Sequence, residues 1–280
     1  MPRRSTIATL GLLALGACWT RPLDPDLAGA PTDLMIASDF GNPVVPGDMA
    51  GTPTHHALLC DGVDDVVRLD ASGMLAHANA FTIELWLRSD AVGPLDQTMT
   101  QYALWAPPTD SLSDNIIITV YDWKGARSVA GSFINYVDAD QNCNHGTGQV
   151  TALLPPAAWH HYVAEYQIDK TGTLEMSFYI DGQKVATIDE AGVPNCFDPS
   201  IIHLCGGPMF PHAFFHGAID DLRISSVLRY SSNFVPPLPI ADGDTAALLR
   251  FESLPLVDES PHQLFIATEG DPQLTTEVHP

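Results

Sequence analysis

His56-Ala-Leu-Leu-Cys-Asp-Gly-Val-Asp-Asp-Val-Val-Arg-Leu69 is an apolar run, a tight acidic turn holding a glycine, and a second apolar run. Leu and Val suit a pleated, half-buried surface, whereas Asp and Gly supply turn conformations, so the stretch reads as strand, turn and strand. Four further segments extend the pattern: Phe81-Thr-Ile-Glu-Leu-Trp-Leu87, Trp159-His-His-Tyr-Val163, Phe178-Tyr-Ile-Asp-Gly-Gln183 and Phe215-His-Gly-Ala-Ile-Asp-Asp-Leu-Arg-Ile224. From His55 to about Phe234 short apolar runs alternate with turn residues, and no amphipathic helix of any length is evident.

Side chains alternate across a strand, which sorts the faces. Ile83, Leu85 and Leu87 share one face, and Glu84, Trp86 and Arg88 the other. Ile116, Ile118 and Val120 oppose Tyr121 and Trp123, while Leu174, Met176, Phe178 and Ile180 make an apolar stripe. One apolar face per strand is what two stacked sheets require. Asp61-Gly62 and Asp181-Gly182 carry the hairpin signal. After Pro236-Pro-Leu-Pro239, the run Ala246 to Phe251 predicts a last strand on the same domain.

Together these segments resemble the laminin-G-like, concanavalin A-like family over residues 55 to 235, with a weaker echo to 266. The resemblance implies an all-β fold, a two-sheet antiparallel jelly-roll β-sandwich usually used to bind glycans or protein partners. With the composition of the flanks, four regions are expected: a leader at 1–18, a Pro/Gly/Asp-rich tether at 19–54, the jelly roll with an accessory strand at 55–266, and a frayed polar tail at 267–280. In the family Glu-x-Trp strand, Trp86 is expected in the core or, less favoured, on a sugar platform. Cys60 stands where the family usually carries phenylalanine.

The formal net charge is −22, and only three lysines occur (Lys124, Lys170, Lys184). Such a surface repels the phosphates of nucleic acid and anionic lipid, which leaves cations, neutral sugars or basic proteins as partners. Arg3 and Arg4 precede an apolar run from Ile7 to Leu15, too short to span a bilayer, and small residues lead to Cys18. Leu15-Gly-Ala-Cys18 resembles a bacterial lipobox. The expectation is therefore an exported protein, lipidated on Cys18, anchored to the cell envelope and touching the membrane only through that lipid. Cys60, Cys143, Cys196 and Cys205 remain, which allows two disulfides and three pairings. Cys143 and Cys196 sit in polar loops and are the expected pair. Cys60 and Cys205 close apolar runs and read as buried hydrophobes.

Two acidic turns are the candidate metal ligands: Asp61, Asp64 and Asp65 in the first, Asp220 in Gly217-Ala-Ile-Asp-Asp-Leu. Crowded carboxylates repel unless a cation offsets them, and Ca²⁺ takes six to eight oxygens, so a structural calcium shared by the two turns is one expectation. Turn-forming and backbone capping, with Arg68 or Arg223 neutralising the charge, is the other. Glu84, Arg88, Glu165, Tyr121 and Trp123 are the candidate ligand-binding residues, since sugar C–H groups stack on rings and carboxylates accept hydroxyl protons. His160 and His161 are adjacent on a strand, point to opposite faces and do not share a metal. No Glu-x-Asp-x-x-Glu glucanase motif, nucleophile elbow or phosphate loop occurs. The expected activity is thus non-catalytic and lectin-like; a protein-interaction module is the alternative, and a glycoside hydrolase working through Glu84 and Glu165 is the least favoured.

The lipobox reading has a direct test. Cys18→Ser should abolish labelling by a radioactive fatty acid and leave an unprocessed or released protein; continued membrane attachment would make the apolar run itself the anchor.

Overall fold

The structure, a computed structural model, describes residues 55–75, 78–90, 101–106, 115–123, 126–134, 147–153, 157–191, 201–207 and 213–280. Cys18, the 19–54 segment, Cys143 and Cys196 lie outside the described residues.

All regular elements among the described residues are strands, arranged in two antiparallel sheets. The first sheet runs β10 (Gln183–Ala191), β9 (Thr173–Ile180), β8 (His160–Ile168), β3 (Ala80–Ser89), β12 (His216–Ser225), β1 (Ala57–Asp61) and β15 (Gln273–Thr275). An additional strand, β13 (Thr245–Leu249), also pairs with β12. The second sheet runs β14 (Ile266–Glu269), β2 (Val66–Asp70), β11 (Ile201–Leu204), β4 (Gln101–Ala106), β5 (Asn115–Trp123), β6 (Ala126–Ile134) and β7 (Thr147–Leu153). The core holds the residues that the alternation selects: Ile83, Leu85 and Leu87 from β3, Leu174, Met176 and Phe178 from β9, and Ile118 and Val120 from β5 are all buried. Phe81 stacks on Tyr166 with ring centroids 4.6 Å apart, filling one end of the sandwich.

Asp181-Gly182 is a hairpin as expected, joining β9 to β10 with φ of 49° and 74°, the left-handed pair that a tight two-residue turn needs. A Cβ on Gly182 would lie 1.9 Å from the Phe234 carbonyl oxygen, so glycine also admits a neighbouring chain segment. Asp61-Gly62 behaves differently. It lies between β1 of the first sheet and β2 of the second, so this turn changes sheets. Asp-Gly reports only local backbone conformation; which partner each flanking strand takes is decided by long-range pairing.

The C-terminal end is also different from expectation. Residues after 266 are not a frayed tail: β14 pairs with β2, and β15 pairs with β1, Ala57 facing Thr275. Both strands are short and polar, yet each covers an otherwise open sheet edge, where backbone hydrogen bonds rather than side-chain burial hold a strand.

β12 lies between β3 on one side and β1 and β13 on the other. Its sequence Ile219-Asp-Asp-Leu-Arg-Ile224 breaks simple alternation, which would send Asp221 and Arg223 into the core. A bulge resolves the conflict. Asp220 pairs with Trp86 and Arg223 with Glu84, so β12 carries one more residue than β3 over that interval. Asp221, at φ 47°, is the extra residue in a left-handed conformation that Asp tolerates. Ile219, Leu222 and Ile224 all reach the core as a result.

Cys60 at the end of β1 and Cys205 just after β11 form a disulfide, and so tie the first sheet to the second. Their reading as free buried hydrophobes is corrected: both are fully buried, but bonded to one another. The bridge spans 145 residues, a closure worth about 5 kcal/mol in the chain-entropy treatment. The double substitution Cys60→Ala, Cys205→Ala should therefore lower unfolding free energy by roughly 2–5 kcal/mol in a urea titration. A shift below about 1 kcal/mol would show that the cross-link adds little to this core.

Candidate functional site

The outer face of the first sheet, away from the core, carries most of the polar side chains singled out in the sequence. It is not bare. The connection from β12 to β13, residues 226–244, crosses it and is anchored at several points. Glu165 Oε1 accepts from the Arg229 and Tyr230 amides at 2.8 and 2.7 Å. Tyr230 donates its hydroxyl to Glu84 Oε2 at 2.6 Å and stacks on Phe234. Phe234 in turn donates its amide to the Gly182 carbonyl at 2.9 Å, and Arg229 clamps Asp242 through two bonds of 2.6 and 2.7 Å.

Glu84 lies beneath this connection, 1% exposed, paired with Arg223 and near His161 Nε2 at 3.5 Å. Burial pushes its carboxyl up, but His161, Arg223 and Tyr230 together outweigh burial and hold it below the usual glutamate value. Glu165 is 3% exposed, and there burial wins, raising the carboxyl against its amide donors. Neither is the free acceptor that the alternation suggested. Each is an internal post on which residues 226–244 sit, because an adjoining chain segment covers a face that period two alone makes look open. Arg88 is likewise engaged, with Asp90 at 2.8 Å and Glu277 at 2.9 Å. Tyr121 and Trp123 lie in β5, and their side chains fall outside what is described.

An open cleft of about 370 Å³ remains where residues 226–244 leave the sheet, lined by Glu165, Gln167, Glu175, Ser177, Lys184 and Arg229. Lys184 donates from Nζ to Ser177 Oγ at 2.9 Å and lies 5.3 Å from the Tyr179 ring centroid. Burial, then Glu165, raises the Tyr179 hydroxyl to about 12. Donors and acceptors thus converge on one concave polar surface.

The two acidic turns do not meet. Asp61 faces His216 across β1 and β12, four positions and about 13 Å along the strand from Asp220. In the first turn, Asp61 Oδ1 accepts from the Val63 amide at 2.7 Å, Asp65 Oδ2 from the Asp61 amide at 2.9 Å, and Asp65 Oδ1 from the Asp271 amide at 3.1 Å. These oxygens already serve backbone donors, and Asp65 ties the turn to the β14–β15 connection. Turn-forming and capping thus occupy Asp61 and Asp65, while one ligand atom from each of Asp61, Asp64 and Asp65 lies within 4.8 Å of the others.

At the second turn Asp220 and Asp221 are both fully buried by the bulge, with His279 Nε2 3.0 Å from Asp221 Oδ2 and 3.7 Å from Asp220 Oδ2. His279 lies flat on Trp86, centroids 4.4 Å apart and planes 2° from parallel. Trp86 is therefore neither a core tryptophan nor a bare platform: the C-terminal segment covers it. His279 was not legible as a site residue, being one histidine in a polar tail with no motif around it.

Burial and then Asp221 raise the Asp220 carboxyl from 3.8 to about 8. Burial works against protonated His279, but Asp221 and Asp220 outweigh it and raise the imidazole as well. Both shifts mean that the native state binds more protons than the unfolded chain, so stability is greatest below the unfolded values and is lost as pH rises through the folded ones. Asp221, His279 and Glu252 are the charged groups acting on Asp220. In buffer free of divalent cations, the urea midpoint should fall steadily from about pH 5 to about pH 9, and Asp220→Asn should flatten the slope. A midpoint independent of pH over that interval would contradict the buried pair.

A family model described as the concanavalin A-like lectin/glucanases superfamily matches residues 61–231, more than half of the 280-residue chain. No curated protein matches the sequence. Among solved structures, a candidate carbohydrate-binding protein from Bacteroides ovatus is similar, with 15% identity and a TM-score of 0.55. The match covers 79% of this chain and 59% of that one, so the chain spans well under the full length of that relative. A heptameric SAP-like pentraxin from Limulus polyphemus is 11% identical, with a TM-score of 0.47 over 65% of this chain and 80% of that one. Domains LG4-5 of the mouse laminin alpha1 chain are 15% identical, with a TM-score of 0.44 over 65% and 44% of the two chains. With two antiparallel sheets packed face to face and a family match over the segments that build them, the chain belongs to the concanavalin A-like lectin/glucanase superfamily.

Proposed function

We propose that the protein is a non-catalytic binding module whose ligand is a glycan on or outside the cell. The observation that carries this reading is the polar cleft on the outer face of the first sheet. Its volume of about 370 Å³ falls within the ~300–1,000 Å³ range of small-ligand sites. Glu175 and Gln167 supply acceptors, Lys184 a donor, and Ser177 both, the mixture that a hydroxyl-rich ring needs. Glu84 and Glu165, the carboxylates that would serve hydrolysis, are committed to Arg223, Tyr230 and the 226–244 backbone, which favours binding over bond cleavage.

The Cys60–Cys205 bridge supports the export reading, since such cross-links persist in oxidising compartments. With the lipobox at Cys18, it favours a module tethered to the bacterial envelope and facing outward. The B. ovatus relative supports the same class of ligand through its description alone.

A glycan array probed with the full mature chain should give saturable, sugar-competable signal. Lys184→Ala and Glu175→Ala should each weaken it about tenfold, the loss of one charge-assisted hydrogen bond. Loss on Trp123→Ala with both cleft variants unchanged would move the site to the second sheet. Release of reducing ends from a polysaccharide would make the protein a hydrolase instead.

A further inference from the structure

We propose that Asp220, Asp221 and His279 form a binding site for a divalent transition-metal ion of the zinc class, closed by the C-terminal segment. One ligand atom from each of these residues lies within 4.8 Å of the other two. Beyond that proximity stands a second observation. Asp220 Oδ2 and Asp221 Oδ1 are buried carboxylate oxygens with no hydrogen-bond partner, on side chains 0% and 1% exposed. Buried polar atoms are nearly always satisfied, and two carboxylate oxygens without a partner on adjacent buried residues point to a positively charged occupant.

Charge gives the same answer. A divalent ion facing two carboxylates and a neutral imidazole leaves no net buried charge. The donor set then selects the class of ion. Calcium takes six to eight oxygens, while an imidazole nitrogen with two carboxylates suits Zn²⁺, Co²⁺ or Mn²⁺. The 3.0 and 3.7 Å separations from His279 Nε2 to the two carboxylates straddle the ~3.3 Å edge of a tetrahedron with ~2.0 Å bonds.

The imidazole is also held in the orientation a ligand needs. Nδ1 is 3.2 Å from the Pro280 main-chain oxygen, which can only accept, so Nδ1 carries the proton and Nε2 is turned toward the aspartates. Trp86 fixes the ring plane by stacking, and Asp220 is the cross-strand partner of Trp86. The left-handed bulge residue Asp221 places its carboxylate beside that of Asp220 on the same side of the sheet, which simple alternation would forbid.

The test uses the full chain stripped with chelator and titrated with Zn²⁺, Co²⁺, Ca²⁺ or Mg²⁺. Zn²⁺ at roughly a hundredfold excess over Kd should raise Tm by about 5–10 °C. Ca²⁺ and Mg²⁺ should do far less. Co²⁺ should add visible absorption bands of a nitrogen- and oxygen-ligated centre, a readout independent of stability. His279→Ala, outside every strand, should leave the fold intact, weaken Zn²⁺ at least tenfold and remove the bands. Asp221→Asn should weaken Zn²⁺ in the same direction. An unchanged Tm with Zn²⁺, Zn²⁺ affinity equal in wild type and His279→Ala, or a Ca²⁺ shift matching that of Zn²⁺ would each overturn the proposal.

Discussion

The bulge in β12 is the constraint on which the rest of this sandwich depends. A strand with three core residues and three charged ones in the order Ile-Asp-Asp-Leu-Arg-Ile cannot satisfy both faces by alternation. One residue must be spent out of register, and Asp221 is that residue. Its displacement lets Leu222 and Ile224 join Ile219 in the core and turns Arg223 back toward Glu84. Without that return, a guanidinium would enter an apolar layer and a buried carboxylate would lose its partner, each costing several kcal/mol. The central position of β12, hydrogen-bonded on both edges, spreads this local solution across the first sheet.

Much of the architecture is legible in the residues because it is periodic. Every second residue of β3 and β9 is apolar, and those residues are the ones found between the sheets. What alternation cannot convey is what lies above the other face. Glu84 and Glu165 have the sequence appearance of open-face residues and Trp86 that of a core residue, yet all three lie on the outer face under segments distant in the chain: Tyr230 and Arg229 over the glutamates, His279 over the tryptophan. The C-terminal strands escape the same periodicity for a related reason. β14 and β15 have polar composition since they are edge strands held through the backbone, so hydrophobicity carries no trace of them.

The cysteines show another limit. Cys60 and Cys205 each close an apolar run before a glycine, and this shared position was the available signal that they belong together. Distance in sequence hid it, for β1 and β11 become neighbours only when the sheets stack. The acidic turns divide in the same way. Asp61, Asp64 and Asp65 crowd one turn, where Asp61 and Asp65 also accept amide hydrogen bonds within the turn and from the β14–β15 connection. Asp220 and Asp221 read equally as a turn, yet they lie in the middle of a strand, where burial and not crowding sets their chemistry.

The bridge between the sheets also bears on mechanical force. Cys60 lies only a few residues inside the folded domain, so tension entering from the N-terminal side meets the covalent link almost at once and passes across it to Cys205. The chain between the two cysteines, a sequence separation of 145, cannot be drawn out while the bond is intact, which withholds roughly 500 Å of extended chain from any pull along the backbone. A domain held by its leading end against flow or shear would then lengthen chiefly through the residues after Cys205, and β2 to β11 would stay in a closed loop however hard that end is pulled.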